Sequence, residues 1–196
     1  MTQLGTPYSG EEIRDVLTIE FEAVHEFFQD ISDETFFTAP PDVWSPADNL
    51  VHLIKACSPV ILALKLPQLA LRARFGQAEH ASRSLAEIRN TYVNGALAGG
   101  GVASGRYLPQ VDEESPAEKQ RLLSEWQKKG SQLTAVLTKW SEEDLDKYVL
   151  PHPLLGSLTV REILFFTLYH NMHHVNDVQR LLNQVESEWF EPVHTV

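Results

Sequence analysis

The stretch VREILFFTLYHNMHHVNDVQRLL, Val160 to Leu182, decides how this chain is read. Its apolar residues recur at helical spacing, and a Thr159/Glu162 pair stands where a helix N-terminus caps itself, so a long final helix is expected from about Val160 to Gln184. At about 100° per residue, His170 and His174 lie one turn apart, and their imidazoles can converge on one point. Ile163, Thr167 and Leu181 fall on the same line, which turns this pair toward the interior; His173 points aside. Two neighbouring imidazoles in an apolar interior need a hydrogen-bond partner or a shared metal, because an unpaired buried polar group costs roughly 1 to 3 kcal/mol.

Working outward, the Ser/Thr-x-x-Glu/Asp pattern recurs as Ser9 with Glu12, Ser45 with Asp48, Ser84 with Glu87, Ser115 with Glu118 and Ser141 with Asp144. Pro46 and Pro116 stand at the first helical position, where a fixed φ is already helical. After the first cap, Ile13, Val16, Leu17, Phe21, Val24, Phe27, Phe28 and Ile31 mark one helix face. From Pro46 the stripe Leu50, Leu53, Ile54, Cys57, Val60, Ile61 and Leu64 marks a second, with Pro59 expected to bend it and Pro67 to end it. A shorter helix is expected over about Leu85 to Leu97, stopped by Gly99, Gly100 and Gly101 before a loop to about Glu114. Another long helix is expected from about Pro116 to Trp140, burying Leu122, Trp126, Leu133, Leu137 and Trp140. Strand-like alternation is nearly absent, so the expectation is all-α: a single domain over 1–196, a four-helix bundle with one or more additional short helices.

A third candidate ligand sits about two turns into the second helix. His52 borders the apolar stripe, and Ala56, Pro59 and Ala63 follow it down the helix, residues too small to fill the space beside an imidazole. Three neutral imidazoles on a divalent cation leave open positions, the pattern of catalytic rather than closed structural sites. Imidazole sites accept nickel, zinc, copper and iron.

These residues resemble the DinB-like superfamily of metal-binding four-helix bundles, which includes bacillithiol S-transferases and mycothiol-dependent enzymes. VWSPADNLVHL, Val43 to Leu53, is similar to the family's tryptophan, helix cap and first metal histidine. HPLLGSLTVREILFFTLYHNMHHVNDVQRLL, His152 to Leu182, is similar to its connector and final helix with the two remaining histidines. The resemblance implies a metal on His52, His170 and His174, commonly nickel or zinc, and a low-molecular-weight thiol as cosubstrate. It also implies a homodimer. Where many members read histidine-histidine-x-glycine-glutamine, this chain reads His173, His174, Val175, Asn176, Asp177.

The expected activity is therefore metal-dependent thiol transfer or hydrolysis on a small-molecule substrate. The alternatives are a non-catalytic, metal-binding or stress-linked bundle, and a structural bundle without metal. Glu20, in the middle of the first apolar stripe, is a candidate general base or partner of a metal histidine; a carboxylate reaching water or an arginine is the plainer reading. Asp177 is a candidate acceptor for an imidazole N–H, and His173 a candidate wall of the site. His25, His80, His152 and His194 read as surface or connector histidines, Cys57 as a small core residue, and the tryptophans as packing, with Trp44 at the pocket entrance.

A formal net charge of -11 leads to the expectation of no nucleic-acid partner and no anionic membrane surface. No apolar run is read as a membrane span, and MTQLGTPYSGEE lacks a basic start and an apolar signal core, which gives a cytoplasmic expectation. One cysteine fits a reducing compartment.

Overall fold

The computed structural model describes residues 7–183. The expected end of the last helix at Gln184, and His194, lie outside them. Four long helices carry the fold: α1 (Gly10–Asp30), α3 (Pro46–Leu64), α6 (Pro116–Leu137) and α8 (Val160–Asn183). Shorter ones punctuate the connections: α2 (Asp33–Phe36), α4 (Gln68–Phe75), α5 (Leu85–Asn90) and α7 (Glu142–Lys147).

All six caps form as the sequence implies. In α1, α3 and α5 the serine and the third-position carboxylate satisfy each other's backbone reciprocally. Thr159 and Glu162 do the same at the start of α8. Ser115 and Ser141 cap α6 and α7 through their hydroxyls. The sequence reading passed over two helices. α2 is only four residues long, capped by Ser32 on Thr35, and α4 starts from Pro67 without any side-chain cap.

The core lies between the long helices. Trp126 of α6 stacks on Phe21 of α1 with ring centroids 4.3 Å apart, and its indole N–H donates to the Phe21 carbonyl at 2.9 Å. Gly130 makes that approach possible: a Cβ there would sit 2.8 Å from the Phe21 ring. α3 continues through Pro59 to Leu64, packed against α6 and α8. By length and composition α3 is apolar enough to cross a bilayer, closer to a span than the sequence reading allowed; within the bundle most of its core-facing residues are buried.

The connector before α8 is a correction to the expectation of almost no strand. Val149–His152 (β1) and Gly156–Thr159 (β2) form an antiparallel hairpin, with Leu150 opposite Leu158 and His152 opposite Gly156. Gly156 adopts φ 73°, a left-handed conformation glycine enters without a Cβ penalty. With two prolines in nine residues the segment had no strand-like alternation to read. The helix expected over Leu85 to Leu97 is present but changes character, α-helical to Asn90 and π-helical over Thr91–Leu97.

Candidate metal centre

His52 projects from α3, and His170 and His174 from α8, so the packing of these two helices brings the three imidazoles together. All three are buried. Their candidate ligand atoms lie within 4.8 Å of one another. His170 Nε2 is 3.1 Å from His52 Nε2 and 3.2 Å from His174 Nε2.

The tautomers decide what this cluster can do. His52 Nδ1 is 2.8 Å from the Tyr107 carbonyl, which can only accept, so Nδ1 carries the proton. His174 Nδ1 is 2.8 Å from Asn49 Oδ1. The Asn49 amide cannot be reversed without loss, because its nitrogen donates to the Ser45 carbonyl at 2.9 Å and faces the Trp44 carbonyl at 3.3 Å. His174 Nδ1 is therefore protonated as well. Two Nε2 lone pairs then face His170 Nε2, which when neutral has at most one proton to give. One nitrogen is left facing another without a proton between them.

Charging a ring does not repair this. Burial pushes His170 and His174 well below the ordinary histidine range, and their neighbouring imidazoles add to the effect. Burial also lowers His52, against the Tyr107 carbonyl, which favours its charged form. A divalent cation fits the donor set. Imidazole nitrogens each about 2.0 to 2.1 Å from one ion stand about 2.9 to 3.4 Å apart at tetrahedral or octahedral angles, the spacing of His170 Nε2 from each of its two neighbours.

The cluster opens on a cavity of about 570 Å³. Trp44 walls it as expected, its ring centroid 5.0 Å from that of His52 and 6.0 Å from that of His174. Ala56, Pro59 and Ala63 line it too, the small residues that left room beside His52.

Other sequence candidates fall differently. His173 and Asp177 line the cavity, but Asp177 pairs with His173 Nε2 at 3.3 Å and with Arg180 at 3.0 Å rather than with either imidazole of the cluster. An i,i+4 step places it over His173, whereas His174 is three residues away. Burial raises the Asp177 carboxyl, opposed by His173 and Arg180. Glu20 is buried, as neither water nor an arginine reaches it: Oε2 accepts from Asn171 at 3.2 Å and Oε1 has no partner. Among the described residues no hydrogen bond links it to His52, His170 or His174, and burial raises its carboxyl well above the usual range.

Three residues escaped the sequence reading. Asn49 was legible in principle, one turn before His52 on the same face. Tyr107 contributes only a backbone carbonyl, which no sequence pattern marks. His152 was read as a connector residue; it lines the cavity instead, its ring centroid 4.2 Å from that of Phe166.

A helical bundle with three buried histidines converging beside a cavity defines a class of protein, and comparison with known proteins places the chain in a family. The DinB superfamily model matches residues 17–178, and the chain belongs to that superfamily. A protein of Bacillus subtilis (strain 168), named as uncharacterized protein YuaE, is 36% identical over 55 residues, 28% of this chain and 33% of YuaE. That alignment spans about a third of the relative's length. Among solved structures, the colibactin self-resistance protein ClbS in complex with a double-stranded DNA matches with a TM-score of 0.53 and 15% identity, over 93% of this chain and all of that one. The ClbS complex overturns the expectation that nucleic acid is excluded as a partner. Net charge averages over the whole surface and says nothing about a local face or groove, so -11 cannot bear that exclusion.

Proposed function

We propose that His52, His170 and His174 hold one divalent first-row ion, nickel or zinc, and that the chain is a metal-dependent enzyme of the thiol-transfer or hydrolytic type. Its substrate is a small molecule entering the cavity, with a low-molecular-weight thiol as cosubstrate in the transfer case. The observation that carries this reading is the proton count at the cluster: His170 Nε2 lies within reach of two other Nε2 atoms, whose lone pairs are fixed by Tyr107 and Asn49.

Such an ion supplies Lewis acidity toward a water or thiol ligand. The residues of the chain do the rest. Tyr107 and Asn49 hold two imidazoles in the tautomer that turns Nε2 inward, the role that outer-shell acceptors play at metal histidines. Trp44, Phe166 and Tyr92 surround the cluster with aromatic faces and keep bulk water away from it. Three neutral ligands leave the full positive charge of a divalent ion uncompensated, so an anionic group, hydroxide or thiolate, is favoured in the remaining positions.

Elemental analysis of protein purified without a histidine tag tests the metal. About one ion per chain is expected, lost in His52→Ala; unchanged occupancy in that variant sinks the assignment. Turnover is then sought with low-molecular-weight thiols plus electrophiles, and with esters and amides. A stoichiometric metal with no metal-dependent turnover of any of these would replace the enzyme with a non-catalytic metal-binding bundle. Double-stranded DNA, present in the ClbS complex, belongs in the same binding assays.

A further inference from the structure

His152 sits where β1 enters the hairpin turn, and the turn fixes its tautomer. The backbone N–H groups of Leu154 and Leu155 both point at His152 Nδ1, at 3.2 and 3.1 Å. Two donors on one ring nitrogen require a lone pair there, so the proton of the neutral imidazole is on Nε2. Among the described residues nothing accepts from that Nε2–H, and it is not among the side-chain atoms sealed from solvent without a partner. The ring forms part of the cavity wall, packed edge-on against Phe166, which itself stacks on His170 at 4.9 Å between centroids. Burial lowers His152 to about 4, so the donor is uncharged at neutral pH. The same neutral donor, fixed by backbone rather than by a movable side chain, is present whether or not the three-histidine cluster is occupied.

The surroundings say what it would meet. Leu150, Pro151, Pro153, Leu154 and Phe166 make the neighbouring wall apolar. Among the described residues Arg106 is the only arginine or lysine lining the cavity, and it is engaged with Tyr107, donating to its hydroxyl at 3.0 Å. A neutral N–H in an apolar wall favours an uncharged acceptor, since a carboxylate held against this part of the wall would lose its hydration with no arginine or lysine beside it.

We propose that His152 Nε2–H is a ligand-binding donor that holds the carbonyl oxygen of an uncharged apolar molecule, an aryl or alkyl ketone, ester or amide, in the cavity. The proposal rests on the reading of this cavity as the binding site, and it deepens that reading by naming a substrate class.

Two probes of nearly the same shape isolate the hydrogen bond: acetophenone, with a carbonyl, and ethylbenzene, without one. Binding to the full chain is followed by NMR with ¹⁵N-labelled histidine, in the presence of a chelator so that no metal can take the carbonyl. The free protein is expected to show His152 as the Nε2–H tautomer. Acetophenone should bind about fivefold more tightly than ethylbenzene and should shift the His152 Nε2 resonance, which ethylbenzene leaves in place. In His152→Phe the preference is expected to vanish; in His152→Gln, which restores an N–H donor, part of it returns. An Nδ1–H tautomer, equal affinity for the two probes, no binding of either, or a preference that survives in His152→Phe would each overturn the proposal. Metal content is measured separately, so a chain that binds no metal yet prefers acetophenone would remove the metal reading and leave His152 standing. The tautomer and the wild-type preference need no variant, and remain decisive if His152→Phe fails to fold.

Discussion

α8 carries buried polar side chains at two places, and the two are finished differently. In its first turn, Arg161 is 1% exposed, and all three nitrogens of its guanidinium donate hydrogen bonds. It pairs with Asp146 at 2.6 Å and Glu142 at 2.9 Å and also donates to the Tyr8 carbonyl. Next to it Glu162 binds Arg83 at 2.8 Å and the Thr159 backbone at 3.0 Å. Three turns later, His170 and His174 are also buried but are short of a proton, and they face a cavity. Completeness of pairing separates the two: the first region ties α8 to α7 and to the chain before α1, while the second leaves one imidazole nitrogen facing another beside a cavity.

That contrast can be broken at either end. The largest effect is expected for His52→Ala, with metal occupancy falling from about one to near zero by elemental analysis while the thermal transition of the metal-free protein stays cooperative. Arg161→Ala should do the reverse. Breaking a fully buried pair costs about 3 to 5 kcal/mol. The carboxylates left behind here are 38% and 59% exposed, so a loss of about 2 to 3 kcal/mol in urea unfolding is expected, with metal content unchanged. Should Arg161→Ala lose metal as readily as His52→Ala, the two regions would be one unit and the comparison would fail.

Smaller effects sharpen it. Asn49→Ala removes the acceptor that sets His174, and losses of about 10- to 100-fold in metal affinity are expected in a competition titration. Glu20→Gln addresses another buried carboxyl. A carboxyl raised in the folded state means the folded chain holds a proton the unfolded chain has released, so stability falls as pH rises above about 4.5. Glu20→Gln should flatten that slope and gain about 1 kcal/mol at pH 7, read from urea midpoints at both pH values. An unchanged slope would mean that Glu20 is ionised in the fold.

Much of this was legible because it is local. A serine three residues before a carboxylate caps a helix wherever it occurs, and a 3.6-residue stripe needs a facing surface whatever that surface is. His170 and His174 share a face by the same rule. What is not local was not legible. His152 in HPLLGS looked like a connector histidine, because only the hairpin brings it to the cavity. Asp177 lay on nearly the right line for His174 but found His173 closer. Glu20 looked like a stripe-edge carboxylate, since the sequence does not show that Asn171 would close over it. The charge of -11 was legible too, yet it is a sum over the whole surface and decides nothing about one face.

The sequence by itself determined the four long helices, their caps, the inward face of α8 and the place of three histidines on two of those helices, because each depends on residues within about one or two turns of each other. Only the tertiary structure decided that His52 meets the α8 pair, that Tyr107 and Asn49 fix their protons, and that His152 joins the same cavity. These contacts connect residues separated by 55 to 125 positions, and their geometry depends on how helices and loops pack, which no local pattern specifies.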